Sequence, residues 1–234
     1  MSNDETIFAA LKGVSTATIT TILLKRGIQR IYMHGPLPIQ RGQGRVVGRA
    51  FTMRFIPARE DLANPANWSS PRSTRAAIEQ MPAGCVVVAD AMGRTDAGVV
   101  GDILCARMKQ RGVAGLVTDG AVRDMAGIVA SGLPVWSRAA AAAPAIAGLH
   151  FANWQDDIAC GQVAVRRDEI IVADDDGAVV IPEEALPLVL EQGPEQERME
   201  EWIFGQVQHG AGLLGLYPPN EDNVRRYNEF KNKC

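Results

Sequence analysis

Between residues 85 and 136, short unbroken apolar runs alternate with helical stretches that end on glycine. Cys85 to Ala89 is followed by a helix from about Gly101 to Gln110 stopped at Gly112, then by Gly115 to Thr118, by a helix from Asp124 to Ala130 stopped at Gly132, and by Pro134 to Trp136. A short strand that is apolar throughout has both faces buried, and a helix between two such strands carries the chain back for a parallel pairing. The rhythm predicts an α/β fold with a parallel sheet covered by helices.

The flanks are read around that unit. Ser15 caps a helix through Leu24, with Ile19, Ile22 and Leu23 at helical spacing and Gly27 as its stop. Arg45 to Ile56 alternates and is rich in β-formers, which predicts a strand. Pro57 to Pro71 holds three prolines, two Asn and a Ser pair, and predicts a long loop able to shape a pocket. Gln162 to Val165, Ile170 to Ala173 and Ala178 to Ile181 are separated by turn formers and predict an antiparallel β unit. Pro182 is expected to open a helix as its first residue, with Glu183 and Glu184 in the first turn. A final charged helix is expected from about Pro194 to Gln208, and Gly210 to Pro219 carries no period.

With 234 residues, 47 % of them apolar, the chain can bury a full core, and a single domain over residues 1–234 without internal repeats is expected. The 24 Lys and Arg against 27 Asp and Glu leave a net charge of −3, which sets up no positive field for phosphates and argues against a nucleic-acid partner. Cys85, Cys105, Cys160 and Cys234 form no C-x-x-C pair, so neither a disulfide framework nor a thiolate zinc site is indicated, and a reducing, cytoplasmic compartment fits. The opening Met-Ser-Asn-Asp-Glu lacks the regions of an export signal, and the longest weakly apolar run, Ala139 to Leu149, is short and broken by Pro144, so no membrane partner is expected.

The chemistry-bearing stretch is Asp90 to Asp124, which contains Gly-Val-Val-Gly-Asp at 98–102 and Asp-Gly-Ala-Val-Arg-Asp at 119–124. Both acidic ends fall where a strand gives way to a helix, the place where open α/β sheets bind ligands and where free helix N–H groups meet anions. Gly101, Asp102, Ile103 and Leu104 can hold a substrate carboxylate with backbone donors while Asp102 and Asp124 face a cation. Magnesium or manganese suits such oxygen ligands. Zinc suits them less, since His34, His150 and His209 are not paired at ligand spacing. Taken singly, an Asp at a helix start is ordinarily a cap and an Arg-Asp neighbour pair is ordinarily a surface ion pair. No Lys-Ser or Lys-Thr follows Gly98-Val-Val-Gly101, so a P-loop is rejected. Cys105 is read as a buried thiol, His150 as an ordinary packed or exposed histidine, and Ala139 to Ala143 as close-packed backbone.

Gly101-Asp102, Asp119 to Asp124, Gly132-Leu133-Pro134-Val135 and Ala173 to Pro182, together with Ser15 to Thr18 and Val47 to Thr52, resemble the 4-hydroxy-4-methyl-2-oxoglutarate aldolase and ribonuclease-regulator RraA family, the class II pyruvate aldolase-like proteins. The resemblance covers roughly residues 14 to 217. It implies a compact β/β/α swivelling-domain fold with a mixed sheet flanked by helices, assembled as homotrimers or hexamers with active sites at subunit boundaries. The C-terminal helix and tail, about 194–234, would then pack on a neighbouring subunit. It further implies that Arg123 steadies the pyruvate oxygens, that Asp124 binds Mg2+ or Mn2+, that Asp102 holds metal-bound water, and that one of Glu197, Glu200 or Glu201 reaches the metal waters of a neighbour's site. The implied activity is retro-aldol cleavage of a 4-hydroxy-2-keto acid to pyruvate, with oxaloacetate decarboxylation as a side activity.

Two departures from the family pattern are visible. Arg138 to Pro144 lacks the Ser or Thr that aldolases carry after the Gly-Leu-Pro-Val strand, and the loop Pro57 to Pro71, with Arg59, Glu60 and Asp61, is longer than in the simplest members. A sugar-derived 2-keto acid is therefore an alternative substrate, and a non-enzymatic regulator that binds a ribonuclease is the alternative function.

Overall fold

The computed structural model describes residues 3–232, so Cys234 lies outside it. The chain begins with α1 (Asn3–Leu11), α2 (Thr16–Leu24), β1 (Leu37–Pro38), β2 (Val46–Pro57), α3 (Thr74–Gln80), β3 (Val86–Asp90), α4 (Asp102–Gln110), β4 (Gly115–Val122), α5 (Met125–Ser131) and β5 (Val135–Ala140). It continues through β6 (Leu149–Trp154), β7 (Ile158–Cys160), β8 (Val163–Val165), β9 (Ile170–Asp174), β10 (Gly177–Ile181), α6 (Leu186–Gln208) and α7 (Glu221–Lys231).

The expected parallel unit is present as β2, β3, β4 and β5 side by side. The long β2 does three jobs: Val46–Arg49 pair antiparallel with β9, Ala50–Arg54 pair parallel with β3, and Met53–Pro57 pair antiparallel with β6 beyond a bulge at Arg54/Phe55. β10 follows β9, β1 follows β5, and Tyr32 just before β1 bridges Val179 of β10, so the mixed sheet nearly closes on itself. β7 and β8 form a separate small hairpin.

Alternation along the strands divides the interior. Val86, Val88, Ala50 and Val117 face one core with α1, α2 and α6, whereas Val87, Ala89, Phe51 and Leu116 face a second with α3, α4 and α5. Both faces are covered, which is why Val86 to Ala89 of β3 and Gly115 to Val117 of β4 read as apolar without alternation. α1 and α2 meet at 97°, and no single helix among the described residues is long and apolar enough to cross a membrane.

Several elements differ from the sequence reading. β4 continues past Thr118, because Asp119-Gly120 forms a bulge in its pairing with β5 and the strand resumes at Ala121 and Val122. Pro182 precedes a short 3-10 turn, and α6 begins at Leu186 and runs unbroken through Pro194. A proline inside a helix costs about 3 kcal/mol. The cost is met by packing on both sides of it, Val189 and Gly193 on the first core and Trp202 and Ile203 on a third, smaller one. Ala139 to Ala143 is not close-packed: Ala140 and Ala142 are exposed at the end of β5. α1, β1, α3, β6, β7 and α7 were not foreseen.

α7 is held to α6 by Trp202 against Tyr227 and by one carboxylate. Glu195 accepts from Lys231 Nζ at 2.8 Å and from Tyr227 Oη at 3.1 Å, and pairs with Arg198. Lys231 first, then Arg198, pull its pKa down from 4.5 to about 2. A folded-state pKa below the unfolded one means the contribution is complete above about pH 4.5 and lost as pH falls toward 2. Tryptophan fluorescence is expected to show α7 loosening in that window, and Glu195→Gln is expected to remove the acid limb; an identical limb in the variant would refute the assignment.

Candidate active site

Backbone pairing brings the two acidic motifs together. The segment ahead of α4 lies along the end of β4: Val99 N–H donates to Ala121 O at 2.9 Å, and Arg123 N–H donates to Val100 O at 3.0 Å. On the other side Gly98 N–H donates to Ala143 O at 2.9 Å, which fixes the segment between β4 and the turn after β5. Gly101-Asp102 is thereby delivered beside Arg123-Asp124, and the N-termini of α4 and α5 open on the same cavity.

Neither aspartate is an ordinary cap. Asp124 occupies the N-cap position of α5 in the left-handed region, φ 58°, and its side chain makes no capping bond. Its carboxylate accepts from Arg123 Nε at 3.0 Å. A Cβ on Gly101 would stand 2.6 Å from Asp124 Oδ2, so the carboxylate is seated in the space that this missing side chain leaves. Asp102 is the first residue of α4; its Oδ1 accepts from Ile103 N–H at 2.7 Å, and a Cβ on Gly127 would stand 2.5 Å from its Oδ2. Each acid is thus nested on a glycine of the other motif's helix start or first turn. A left-handed non-glycine residue is a strained conformation that persists where the surroundings over-determine it, and such residues cluster at functional sites.

The first turn of α4 has no side-chain cap from Gly101, and Cys105 N–H is the first to bond back, to Gly101 O at 3.1 Å. Of the expected backbone donors, Ile103 is taken up by Asp102, whereas those of Gly101, Asp102 and Leu104 have no partner among the described residues. The Cys105 thiol is buried, and burial first, then Asp102, pushes its pKa up to about 12, so it is packing and not a nucleophile. Asp119, the first acid of the second motif, lies outside the cavity. It accepts from Ala91, Gly93 and Gly161 N–H at 2.8, 3.0 and 3.2 Å and ties the loops after β3 and β7 to the β4 bulge.

The cavity has a volume of about 330 Å³, within the range that encloses a small molecule. Gly98 to Leu104, Arg123 and Asp124 line one part of it; Leu62, Trp68, Arg72 and Arg75 line another, with Phe55, Phe151 and His150 from β2 and β6. The loop after β2 does shape the pocket, as its length suggested. Trp68, Arg72, Arg75 and His150 were missed as cavity residues. Ser73, whose hydroxyl accepts from Ala76 N–H at 3.2 Å to cap α3, was the one sequence signal that the loop ends in a helix facing the site.

The donor set can be tested against a metal. Among the described residues no three His, Cys, Asp or Glu side chains converge. Two nested carboxylates fit a hard divalent ion that keeps waters and takes substrate oxygens, and they do not make a closed zinc site. Glu197, Glu200 and Glu201 do not line this cavity; all three line a groove on α6 with Phe204, Val207, Leu213 and Tyr217. Glu197 is turned inward, accepting from Ser15 N–H at 2.7 Å. Burial opposes its charge, but the Ser15 and Thr18 donors and Arg45 outweigh that and lower its pKa. Glu200 accepts from Gln196 at 2.7 Å, and Glu201 is exposed.

A profile of RraA-like proteins, described as Aldolase/RraA, matches residues 16–180 and so spans every element that builds the cavity. The chain belongs to the RraA-like family. This RraA-like chain is similar to a candidate 4-hydroxy-4-methyl-2-oxoglutarate aldolase of Halalkalibacterium halodurans, 34 % identical over 127 residues that cover 54 % of this chain and 60 % of that protein. It is 28 % identical over 179 residues to Protein DlpA of Legionella pneumophila, covering 75 % of this chain and 28 % of DlpA. The aligned part thus spans less than two thirds of either relative. A solved structure, RraAS2 of Streptomyces coelicolor, described as an unusual member of the RNase ES inhibitor RraA protein family, shares 32 % identity at a TM-score of 0.75 and covers 84 % of this chain and 94 % of that one. The RraA-like relatives therefore carry both an aldolase name and a ribonuclease-inhibitor name.

Proposed function

We propose that this RraA-like protein is a divalent-metal-dependent carbon–carbon lyase that cleaves a 4-hydroxy-2-keto acid, such as 4-hydroxy-4-methyl-2-oxoglutarate or 4-carboxy-4-hydroxy-2-oxoadipate, to pyruvate and a second carbonyl compound. The observation that carries the reading is the seating of Asp102 and Asp124 on glycines of one cavity beside Arg123. Surface caps and ordinary ion pairs do not need such nests.

In this reading the 2-keto acid's carboxylate is taken by the free amides of the α4 first turn, where the helix dipole favours an anion. Arg123 spends only Nε on Asp124, which leaves its terminal nitrogens for the keto oxygen. The C4 hydroxyl gives its proton to an acceptor in the cavity, where Asp102 and His150 lack an arginine partner among the described residues. The C3–C4 bond then breaks, its electron pair passes to the pyruvate half as an enolate, and a proton returned to C3 completes pyruvate. Negative charge grows on the keto oxygen along this path, and a guanidinium that lines the cavity attracts it more strongly toward the transition state. Asp102 and Asp124 would hold magnesium or manganese, which supplies Lewis acidity when bound. The groove bearing Glu200 and Glu201 is where a neighbouring subunit of a trimer or hexamer would be completed from, Glu197 being committed to Ser15.

Pyruvate release coupled to lactate dehydrogenase tests this. Turnover of 4-hydroxy-4-methyl-2-oxoglutarate or oxaloacetate that appears with magnesium or manganese and stops with chelator is the expected result; no pyruvate from either under any metal overturns it. The similarity to RraAS2 favours one other reading, a regulator that binds a ribonuclease. A regulator's partner affinity would be indifferent to Arg123→Ala and Asp124→Ala.

A further inference from the structure

The cavity carries cations that the lyase reading leaves without a task. Arg72 and Arg75 both line it, Arg72 just ahead of α3 and Arg75 in its first turn. The acids nearest to them in sequence are already paired elsewhere: Asp61 with Arg59, and Glu79 with Arg107 and Arg111. Neither Arg72 nor Arg75 has an ion-pair partner among the described residues. Arg75 is nonetheless held in place, its guanidinium lying 5.0 Å from the centroid of the Trp68 ring. Stacking fixes a guanidinium without neutralising it and leaves its in-plane N–H fork open for a planar or tetrahedral anion. The acids that line the cavity are Asp102 and Asp124, contributed by α4 and the start of α5, so Arg72 and Arg75 come from a different element than the acids and Arg123, with Phe55, Leu149 and Phe151 among the lining.

The geometry points to Arg75, backed by Trp68 and joined by Arg72, as the residue that selects substrates by an anionic group on the half that departs as the second carbonyl product. This rests on the lyase reading, in which the keto-acid end lies against Asp102, Arg123 and Asp124. A substrate so oriented presents its far end to the 62–75 wall. The class is then 2-keto acids that bear a carboxylate or a phosphate at the distal end, and neutral-tailed 2-keto acids are discriminated against. A charge-assisted contact of this kind is worth about 10- to 100-fold in affinity.

The test is binding, so that it does not depend on turnover. Calorimetric titration with manganese present would compare 2-oxoglutarate with 2-oxopentanoate, which differ by one distal carboxylate, and 2-keto-3-deoxy-6-phosphogluconate with 2-keto-3-deoxygluconate, which differ by one phosphate. Wild type is expected to prefer the anionic member of at least one pair by about 10-fold or more, and the preferred pair identifies the anion. Arg75→Gln is expected to erase that preference while leaving affinity for the neutral member and the melting temperature unchanged, and Arg75→Lys to restore part of it. Equal affinity within both pairs, a preference that survives Arg75→Gln, or binding of no ligand overturns the inference. A preference abolished by Arg75→Gln in a protein that releases no pyruvate would uphold it and refute the lyase chemistry instead.

Discussion

Asp124→Asn is expected to abolish turnover and leave the protein folded. The substitution keeps the shape of the side chain, and asparagine is among the residues most tolerant of the left-handed backbone found here at φ 58°. The Asp124 side chain makes no capping bond, and its ion pair with Arg123 is about 40 % exposed on both sides, a setting in which such pairs contribute at most about 1 kcal/mol. A melting temperature within a few degrees of wild type follows. What disappears is an anionic oxygen in the cavity that Asp102, Arg123 and Asp124 line together. If that oxygen holds the cation and orients Arg123, kcat/KM falls by at least about 10²- to 10³-fold, and manganese binding followed by electron paramagnetic resonance weakens in parallel. A variant that keeps activity within tenfold, or one whose loss of activity tracks a matching loss of stability, would remove Asp124 from the chemistry.

The part of this site that was legible in sequence is the part built from local patterning. β3 and β4 were visible because each is buried on both faces and so carries an apolar run without alternation, Val86 to Ala89 and Gly115 to Val117, and α5 ended where Gly132 takes φ 70°. The acids stood out because they fall at the strand-to-helix junctions of that same unit. Long-range packing hid the rest. Asp119-Gly120 has the local signature of a strand end, yet β4 resumes beyond its bulge, where Ala121 O accepts from Val99 N–H and Arg123 N–H donates to Val100 O. Pro194 has the signature of a helix start, yet two separate cores hold α6 straight through it. His150 looked unremarkable in isolation and lines the cavity only because β6 folds back on the end of β2. Arg72 follows the loop whose prolines announced only irregular structure, Arg75 lies in the first turn of the unforeseen α3, and their relation to Asp102 and Asp124 exists only in three dimensions.

Gly127→Ala separates the requirements of the fold from those of the site most sharply. Gly127 lies inside α5, where alanine is preferred by about 1 kcal/mol on helix propensity alone. Its backbone has no left-handed φ, so nothing in the helix itself asks for glycine. The requirement comes from α4: the added methyl would stand 2.5 Å from Asp102 Oδ2 and 2.6 Å from Asp102 Cβ. Rotating the carboxylate relieves the first contact but not the second, since Cβ moves only with the backbone. The N-terminus of α4 must therefore shift away from α5, carrying Gly101 and Asp102 away from Arg123 and Asp124. Overpacking of this size costs about 1–3 kcal/mol, largely offset by the gain in propensity, so the melting temperature is expected to fall by only a few degrees. Misplacement by about 1 Å at a catalytic constellation costs about 10²-fold. Gly127→Ala should accordingly lose that much in pyruvate release while remaining folded, and Asp102→Gly in the same background, which removes the Cβ along with the carboxylate, should relieve the clash without restoring turnover. Activity within threefold of wild type would mean that the spacing of the two helix starts, and with it Asp102, does not set the rate.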